Sequence, residues 1–370
     1  MNLSDFDYEL PAGSIAQWPL AERDASRMLL LDRATGHWDD RQFRELPVLL
    51  RGGELVVLND VRVLPARLFG RRAGLRAEPP GANNPARPEF LTSAIEVLLV
   101  RQLTPDTWEA LVRPGRKIPV GERILFGEGE LEASVEARGE FGLRVLRFAS
   151  SENGLEGASK LHDALARLGH IPLPPYIKRA DEPLDRERYQ TVYAQQGSAV
   201  AAPTAGLHFT PGILESLRRR GVEIVKVTLD VGLGTFEPVR TENLEQHKIH
   251  AESYEIPEAT AEAVLRAKRG HRPVLAIGTT AVRALEDAAD KASATGKLIA
   301  PGKFEASIFL LPGKSFRVVD QLLTNFHLPQ STLLALVAAF AGLDHTLSAY
   351  RHAVASGYRF YSYGDCMLIR

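Results

Sequence analysis

The sequence has little cysteine, no long apolar run and no excess of either charge. One cysteine among 370 residues excludes a disulfide framework and any metal site built from several thiolates. The longest apolar run, Leu333 to Leu343, is shorter than the roughly 20 residues that span a bilayer. The first residues also lack the basic and then apolar build of a secretory signal. We therefore expect a cytoplasmic protein without a membrane span.

The charge balance limits how the chain can bind nucleic acid. Lys and Arg total 45 and Asp and Glu total 46, so the formal net charge is −1. Such a chain cannot hold a polyanion through its overall field, and an RNA partner would have to meet a local basic cluster. The 45% hydrophobic content excludes a mainly disordered chain, and the length suggests roughly two domains.

Two kinds of pattern follow one another along the chain. Alternating apolar segments between about Ala94 and Phe148 predict a small antiparallel sheet or barrel. After Lys160, helical and strand-like segments alternate, which predicts a mostly parallel sheet with helices on both faces. The predicted helices are Lys160–Leu168, Asp185–Gln195, Pro211–Arg220, Pro257–Arg269, Ala281–Lys291, Ser331–Ala341 and Leu343–Ser356. The predicted strands among them are Val222–Leu229, Val274–Ile277 and Ser307–Leu310.

The segment Val274 to Glu286 has the pattern of a buried strand, a Gly-Thr-Thr turn and a helix with Arg283 in its first turn. Such a junction points free backbone N–H groups outward, which suits a carboxylate or ribose hydroxyls. The alternative is an ordinary helix that Thr279 or Thr280 caps. Taken by itself, the segment favours the capped helix.

Two prolines and a glycine fix the backbone around His208, in the segment Ala202 to Pro211 that precedes a helix. An imidazole on a stiffened loop suits proton transfer near neutral pH. A ring that only caps the loop explains the segment equally well.

Gly232 and Gly234 follow a strand and superficially resemble a glycine-rich dinucleotide loop. The third glycine is absent and Pro238 stands where a helix should begin, so the Rossmann fingerprint fails. Two glycines still leave room for a ligand to approach the backbone.

The segment His247 to Glu252 offers two histidines and a glutamate, but their spacing matches no specific metal-binding pattern. A polar loop whose His250 and Glu252 meet a substrate is the better interpretation. We therefore predict no metal site.

Two further polar clusters have ordinary structural explanations. The segment Asn325 to Pro329 precedes an apolar helix, for which Ser331 or Thr332 would serve as N-cap. The segment Leu58 to Arg67 places an Asn, an Asp and two Arg residues at the end of a strand. A turn with an Asx hydrogen bond and a surface ion pair accounts for it.

Taken together and in order, these segments resemble one known family, the S-adenosylmethionine:tRNA ribosyltransferase-isomerases of queuosine biosynthesis. The resemblance covers the chain from end to end. The blocks that carry it are Asp5-Phe-Asp-Tyr-Glu-Leu-Pro11, Leu58-Asn-Asp-Val-Arg-Val-Leu-Pro-Ala-Arg67, Pro203-Thr-Ala-Gly-Leu-His-Phe-Thr210, Val231-Gly-Leu-Gly-Thr-Phe236, His247-Lys-Ile-His-Ala-Glu252, Gly278-Thr-Thr-Ala-Val-Arg283, Leu323-Thr-Asn-Phe-His-Leu-Pro329 and Tyr361-Ser-Tyr-Gly-Asp365.

The resemblance implies a tRNA-modifying transferase and isomerase. Such an enzyme moves the ribosyl moiety of S-adenosylmethionine onto 7-aminomethyl-7-deazaguanine at the tRNA wobble position, giving epoxyqueuosine and releasing adenine and methionine. S-adenosylmethionine is consumed as a substrate, and no separate cofactor is implied. We expect a monomer.

The resemblance also implies an α/β fold, in which a three-layer α/β/α domain is interrupted by a small β-barrel domain. The expected catalytic domain comprises residues 1–62 and 155–370, and the barrel comprises residues 63–154. The Pro- and Gly-rich stretch near 73–93 is longer than the family's usual connection, and we interpret it as a surface loop inserted in the barrel. Asp230 stands where the family more usually has His.

The reaction requires a base, an acid for adenine and a water-poor pocket. For proton transfer the resemblance favours His208, followed by Asp60, His250 and Glu252. The predicted substrate-binding residues are Asn59, Arg62, Thr204, Gly232, Gly234, Thr279, Thr280, Arg283, Asn325, His327 and Tyr363.

The tRNA face is predicted from clustered cations that could contact phosphates and make RNA affinity fall steeply with salt. One cluster lies in a predicted barrel turn, and the other follows a stiff Pro-rich segment. The predicted tRNA-binding residues are Arg113, Arg116, Lys117, Tyr176, Lys178 and Arg179. Arg186 and Arg188 are expected near the start of the next helix, where they would oppose the helix dipole.

Two other classes of function stay open at this stage. An S-adenosylmethionine-dependent RNA methyltransferase is suggested only by Gly232 and Gly234, and it would yield S-adenosylhomocysteine in place of adenine. A non-catalytic RNA-binding protein would account for the basic clusters but not for the uncharged, stiffened loop around His208.

Overall fold

The computed structural model of the protein describes residues 1–73, 94–115, 118–139, 142–149, 155–232, 241–247, 249 and 251–370. Its strands are β1 (Arg27–Leu31), β2 (Trp38–Gln42), β3 (Leu55–Asn59), β4 (Val61–Val63), β5 (Arg67–Arg72), β6 (Ile95–Thr104), β7 (Thr107–Arg113), β8 (Arg123–Phe126), β9 (Leu131–Arg138), β10 (Leu143–Phe148), β11 (Gln196–Ala199), β12 (Glu223–Leu229), β13 (Glu252–Ile256), β14 (Val274–Ile277), β15 (Gly302–Ala306), β16 (Gln321–Asn325) and β17 (Cys366–Ile369). Its α-helices are α1 (Leu46–Leu49), α2 (Leu155–Leu168), α3 (Pro183–Arg188), α4 (Pro211–Arg219), α5 (Glu258–Arg269), α6 (Thr279–Ser293), α7 (Thr332–Ala341) and α8 (Leu343–Ala355).

A nine-stranded sheet forms the larger part of the described chain, in the order β15-β13-β12-β3-β14-β16-β17-β1-β2. The four central strands β12, β3, β14 and β16 run parallel to one another. Strand β17 lies antiparallel to β16, and the pairs at both edges are antiparallel as well. The prediction of a mostly parallel sheet is therefore wrong, because half of its neighbouring strand pairs are antiparallel.

Helices cover both faces of this sheet because successive side chains of a strand point to opposite sides. Leu29 and Val57 belong to an apolar cluster that includes residues of helices α5, α6, α7 and α8. Met28 and Val56 belong to a second cluster, with residues of α1, α4 and the turn before α4. This arrangement confirms the three-layer α/β/α prediction.

The second unit is a closed barrel of six antiparallel strands in the order β10-β7-β6-β5-β8-β9. Its interior is filled by residues that alternate along each strand, such as Ile95, Val97 and Leu99 of β6, together with Trp108 and Phe126. The barrel strands lie inside the predicted range 63–154, and those domain boundaries stay predictions. Most of the predicted loop insertion, residues 74–93, lies outside the described residues.

Two predicted elements differ from the structure. The strand expected at Ser307–Leu310 is found at Gly302–Ala306, where Phe304 pairs with Tyr254 of β13. The helix expected at Asp185–Gln195 is the short α3, so Arg186 lies in its last turn and is favourable to the helix dipole.

No single helix of the described residues is long and apolar enough to cross a membrane. Helices α7 and α8 meet the length and composition criteria only as a pair, and they are bent by 116° where they join.

Candidate functional site

A pocket of about 430 Å³ lies at the edge of the sheet where the parallel strands β14 and β16 end. In open α/β sheets, small-molecule binding sites usually lie at this edge of the sheet. The volume is within the usual range for small-molecule pockets. The described lining residues include no Asp, Glu, Lys or Arg. They are Pro175, Tyr176, Tyr189, Ala201, Ala202, Pro203, Thr204, Ala205, Val231, Gly278, Thr279, Thr280, Thr324, Asn325, Phe326, His327, Leu328, Pro329, Gln330, Ser331, Thr332, Leu333, Tyr361 and Ser362.

The N-terminus of helix α6 forms one wall of the pocket. Its N-cap is Gly278, whose φ of 87° is in the left-handed region that favours glycine, and no side chain caps the helix. The expectation that Thr279 or Thr280 is the N-cap is therefore wrong. Both threonines lie in the first turn and line the pocket, and the hydroxyl of Thr280 has no hydrogen-bond partner among the described residues. Uncapped N–H groups can receive a polar ligand. The Thr280 hydroxyl is itself buried, so it reaches such a ligand by rotation of the side chain toward the pocket.

An ion pair is buried one helical turn further along α6. Arg283 and Glu252, which are 9% and 4% exposed, are hydrogen-bonded through Arg283 Nη1 and Glu252 Oε2. The backbone N–H of Gly232 donates to Glu252 Oε1 at 3.0 Å, next to the pocket residue Val231. Neither charged side chain lines the pocket itself, so the pair supports the wall rather than forming it.

A chain of three polar side chains runs from the pocket-lining Asn325 to His208 and Ser26, which lie outside the lining. Asn325 Nδ2 donates to the carbonyl of Tyr361 at 2.9 Å, which leaves Oδ1 to face His208 Nε2 at 3.1 Å. Because Oδ1 can only accept, Nε2 carries the proton. His208 Nδ1 therefore accepts from Ser26 Oγ at 2.8 Å. Burial lowers the pKa of His208 to about 4, so the ring is neutral at pH 7.

His327 belongs to the pocket lining. Its Nε2 is 2.9 Å from Thr324 Oγ1, and that hydroxyl lies 3.4 Å from the carbonyl oxygen of Asn325. The hydroxyl can therefore hydrogen-bond one ring nitrogen of His327, while Nδ1 makes no hydrogen bond with the described residues. Burial lowers the pKa of His327 to about 3, so this imidazole is also neutral at pH 7.

Two aromatic rings also line the pocket. The rings of Tyr176 and Tyr361 are 3.9 Å apart between centroids, and Tyr176 Oη is 2.6 Å from Ser362 Oγ. Electron-rich ring faces attract cations in a site of low polarity. The pocket thus combines polar N–H and O–H groups, the neutral imidazole of His327, an Asn325 side chain that His208 holds, and a pair of aromatic rings.

Comparison with known proteins places this geometry in a family. A family model described as "Queuosine biosynthesis protein" matches residues 3–369, which is nearly the whole chain. The chain belongs to the queuosine biosynthesis protein family. The family resemblance inferred from the sequence is confirmed.

Individual members of the queuosine biosynthesis family match over their whole length. The chain is 54% identical to the S-adenosylmethionine:tRNA ribosyltransferase-isomerase of Solibacter usitatus, and all of both chains is covered. It is 50% identical to the protein of the same name from Moorella thermoacetica, again with full coverage of both. A crystal structure of the S-adenosylmethionine tRNA ribosyltransferase from Thermotoga maritima is similar, with 34% identity and a TM-score of 0.53. That comparison covers 99% of this chain and 100% of the other, and it confirms the predicted fold class.

In this family member, the structure brings together five of the predicted substrate-binding residues. The five that line the pocket are Thr204, Thr279, Thr280, Asn325 and His327. Gly232 lies beside the pocket, next to Val231. Tyr363 lies outside it and donates to Asp185 Oδ1 at 2.7 Å. Gly234 and His250 lie outside the described residues.

The predicted cluster at the end of β3 serves the backbone around it. Asn59 Oδ1 accepts from the N–H groups of Val61 and Leu229, so the expected Asx turn is present. Asp60 is buried and accepts from Thr228 Oγ1 at 2.7 Å, while Arg62 is exposed. None of these side chains lines the pocket, and their roles in the reaction stay predictions.

The predicted tRNA-binding residues are distributed over two regions. Arg113 is exposed at the end of barrel strand β7, while Arg116 and Lys117 lie outside the described residues. Lys178 is exposed beside Tyr176, which lines the pocket. Arg179 is mostly buried and bonds both oxygens of Asp185, at 2.7 and 2.8 Å.

The sequence reasoning missed two residues that complete the site. Ser26 bonds His208, and Tyr361 pairs with Tyr176 and accepts from Asn325 through its carbonyl. Tyr361 lies inside one of the blocks that carry the resemblance, so its signal was present in the sequence. Ser26 follows an unremarkable turn, and no local pattern marks it.

Among the described residues, no group of three His, Cys, Asp or Glu side chains is placed to hold a metal ion.

Proposed function

We propose that the protein transfers the ribosyl moiety of S-adenosylmethionine to 7-aminomethyl-7-deazaguanine at the wobble position of tRNA and isomerises it. The products are epoxyqueuosine in the tRNA, free adenine and methionine. The observation that carries this proposal is the end-to-end match, at 54% and 50% identity, to proteins named S-adenosylmethionine:tRNA ribosyltransferase-isomerase. The family model for queuosine biosynthesis supports it over residues 3–369.

S-adenosylmethionine is the substrate that the pocket receives in this proposal, and it is consumed. Its sulfonium supplies the reactivity, since it acidifies the neighbouring C–H group and makes methionine a leaving group. The Tyr176 and Tyr361 rings would face this cation. The N–H groups of the first turn of α6 and the hydroxyl of Thr280 would receive the carboxylate or the ribose hydroxyls.

The protein itself supplies proton transfer and exclusion of water. His327 is the pocket-lining imidazole, and its Nδ1 atom makes no hydrogen bond within the described residues. We assign proton transfer to His327 and a positioning role to His208, whose two ring nitrogens are held by Asn325 and Ser26. Glu252 holds Arg283 and the backbone of Gly232 beside the pocket. Proton transfer by Asp60 or His250 stays a prediction.

The partners in this proposal are S-adenosylmethionine and a tRNA that carries the deazaguanine base. Since the RNA substrate is a tRNA, we place the enzyme in the cytoplasm, and we propose that it acts as a monomer.

Product analysis tests the reaction. The purified protein is incubated with S-adenosylmethionine and tRNA carrying 7-aminomethyl-7-deazaguanine, and with the same mixture lacking tRNA as the control. We expect free adenine and methionine in equal amounts, together with epoxyqueuosine in the digested tRNA, only when tRNA is present. S-adenosylhomocysteine with a methylated nucleoside would show a methyltransferase instead, and RNA binding without any product would show a non-catalytic protein.

A further inference from the structure

We propose that Trp18 is a stacking platform for an unpaired base of the RNA substrate, next to the base that is modified. This inference rests on the proposed function, because it takes single-stranded RNA as the partner. Proteins recognise single-stranded loops largely by stacking bases on aromatic side chains, which tolerates different base identities.

Trp18 differs from the other two tryptophans in its exposure. Its side chain is 45% exposed, whereas Trp108 is buried in the barrel and Trp38 is half-buried on β2. An exposed indole leaves apolar surface in water, which the fold alone does not favour. A large, flat aromatic surface at this position is suited to a ligand that covers it.

One face of the Trp18 ring is covered by a fixed cation. The guanidinium carbon of Arg179 lies 3.6 Å from the ring centroid. Arg179 is held by both carboxylate oxygens of Asp185, and Asp185 also accepts from Tyr363 Oη at 2.7 Å and from the N–H of Glu182 at 2.8 Å. Because Arg179 is used in this way, it supports the platform rather than contacting a phosphate.

The backbone that carries the ring is also fixed. Arg179 Nε donates to the carbonyl of Gln17 at 2.9 Å, and Arg359 donates to the carbonyl of Trp18. These two contacts fix the peptide groups immediately before and after Trp18. A base that stacks there would meet a pre-ordered ring, so less conformational entropy is lost on binding.

The platform lies beside the pocket and beside cations. Gln17 Nε2 donates to the carbonyl of Tyr176 at 3.0 Å, and Tyr176 lines the pocket. Lys178 is exposed two residues further on, where it can contact the RNA backbone. Arg23 and Arg188 donate to backbone carbonyls in the same region, and neither forms an ion pair with a carboxylate of the described residues. This combination of a ring and cations fits a single strand that enters the pocket with one base.

Binding of an anticodon stem-loop RNA to single variants tests the platform. Trp18→Ala should raise the Kd for the RNA roughly tenfold, and Trp18→Phe should raise it less, because stacking scales with the ring that remains. The KM for S-adenosylmethionine should not change. Phe69→Ala is the matched control, since Phe69 is an exposed aromatic on the barrel strand β5 and should leave the Kd unchanged.

Salt dependence separates stacking from charge. The slope of log Kd against log salt should be the same for Trp18→Ala as for the parent protein. Lys178→Ala should reduce the slope, because it removes a cation that contacts the RNA backbone. In addition, RNA should quench tryptophan fluorescence in the parent protein and not in Trp18→Phe, a readout that does not depend on the alanine variant folding.

A Kd for Trp18→Ala within about twofold of the parent, together with unchanged quenching in Trp18→Phe, would overturn the platform while leaving the proposed reaction intact. Failure of the parent protein to bind the stem-loop at all would instead contradict the proposed function.

Discussion

The Nε2 atom of His208 lies 3.1 Å from the Oδ1 atom of Asn325, a residue that lines the pocket. The imidazole is neutral at pH 7 because burial lowers its pKa to about 4, and its other nitrogen is bonded to Ser26. A neutral ring whose two nitrogens are both hydrogen-bonded is suited to orienting the side chain that it contacts. His208 therefore fixes the amide of Asn325, which in turn holds the carbonyl of Tyr361 at the pocket.

Replacing His208 with Gln should preserve turnover, because a glutamine side chain can still donate an N–H group to Asn325. His208→Ala should lower kcat/KM by roughly tenfold through a higher KM, since it leaves the Asn325 oxygen without its donor. His327→Gln should instead lower kcat by a factor on the order of 10² or more, as loss of general acid–base catalysis does. Steady-state kinetics at pH 7 check these effects. A large loss of kcat in His208→Gln, with kcat preserved in His327→Gln, would assign proton transfer to His208.

The buried histidines predict a loss of stability in acid. The imidazole of His208 titrates near 6.5 when exposed and near 4 in the folded protein, so the unfolded chain binds more protons between these values. Stability is therefore full above pH 6.5, falls as the pH drops toward 4, and levels off below it. This residue alone should account for about 2 kcal/mol of the loss between pH 7 and pH 5. Urea unfolding at the two pH values measures it, and His208→Gln should lose less stability than the parent; equal losses would contradict the burial argument.

The unpartnered hydroxyl of Thr280 predicts a separation of binding from stability. Thr280→Val keeps the shape of the side chain and removes a hydroxyl that has no partner among the described residues, so the melting temperature should not fall. The Kd for S-adenosylmethionine should rise roughly fivefold to tenfold, because the variant loses one hydrogen bond to the ligand. Thr346→Val is the matched control, because its hydroxyl is also buried and unpartnered but lies outside the pocket lining. Calorimetry that found equal S-adenosylmethionine affinity in both variants would remove Thr280 from the binding site.

The ion pair between Arg283 and Glu252 predicts non-additive stability changes. Either Glu252→Gln or Arg283→Met removes one charge of a buried ion pair and should cost about 3 kcal/mol of unfolding free energy. The double variant should cost clearly less than the sum of the two, because it removes both charges of the pair. A thermodynamic cycle from urea unfolding supplies the coupling free energy. Additive costs would mean that the two side chains do not depend on each other.

A helix or strand can be predicted from the sequence when its own residues carry a hydrophobic period. The alternation Ile95, Val97, Leu99 marks a barrel strand because each of these residues points inward. The direction of strands in the large sheet has no such signal, since β1 near the beginning of the chain pairs with β17 at its end. Likewise Trp38–Gln42 is a polar edge strand with mostly exposed residues, so no hydrophobic period indicates it.

The residues of the candidate site also fall into those that a local sequence pattern indicates and those that only the fold brings together. Thr279, Asn325 and His327 lie at or just after the ends of strands in recognisable blocks, and all three line the pocket. The contact of His208 with Ser26 joins residues 182 positions apart, and nothing in either local pattern predicts it. Arg179 has the sequence context of a phosphate ligand, and its ion pair with the buried Asp185 is a contact that this context does not indicate.

The fate of two of the three carbon groups on the sulfonium, the ribosyl group and the methyl group, tests the central claim most directly. S-adenosylmethionine labelled with ¹³C in the ribose, and separately in the methyl group, is incubated with the protein and tRNA carrying the deazaguanine base. Mass spectrometry of the digested tRNA then reports which label was transferred. The account predicts that the modified nucleoside gains the ribose label and none of the methyl label, with adenine released in equal amount. Transfer of the methyl label without the ribose label would contradict it.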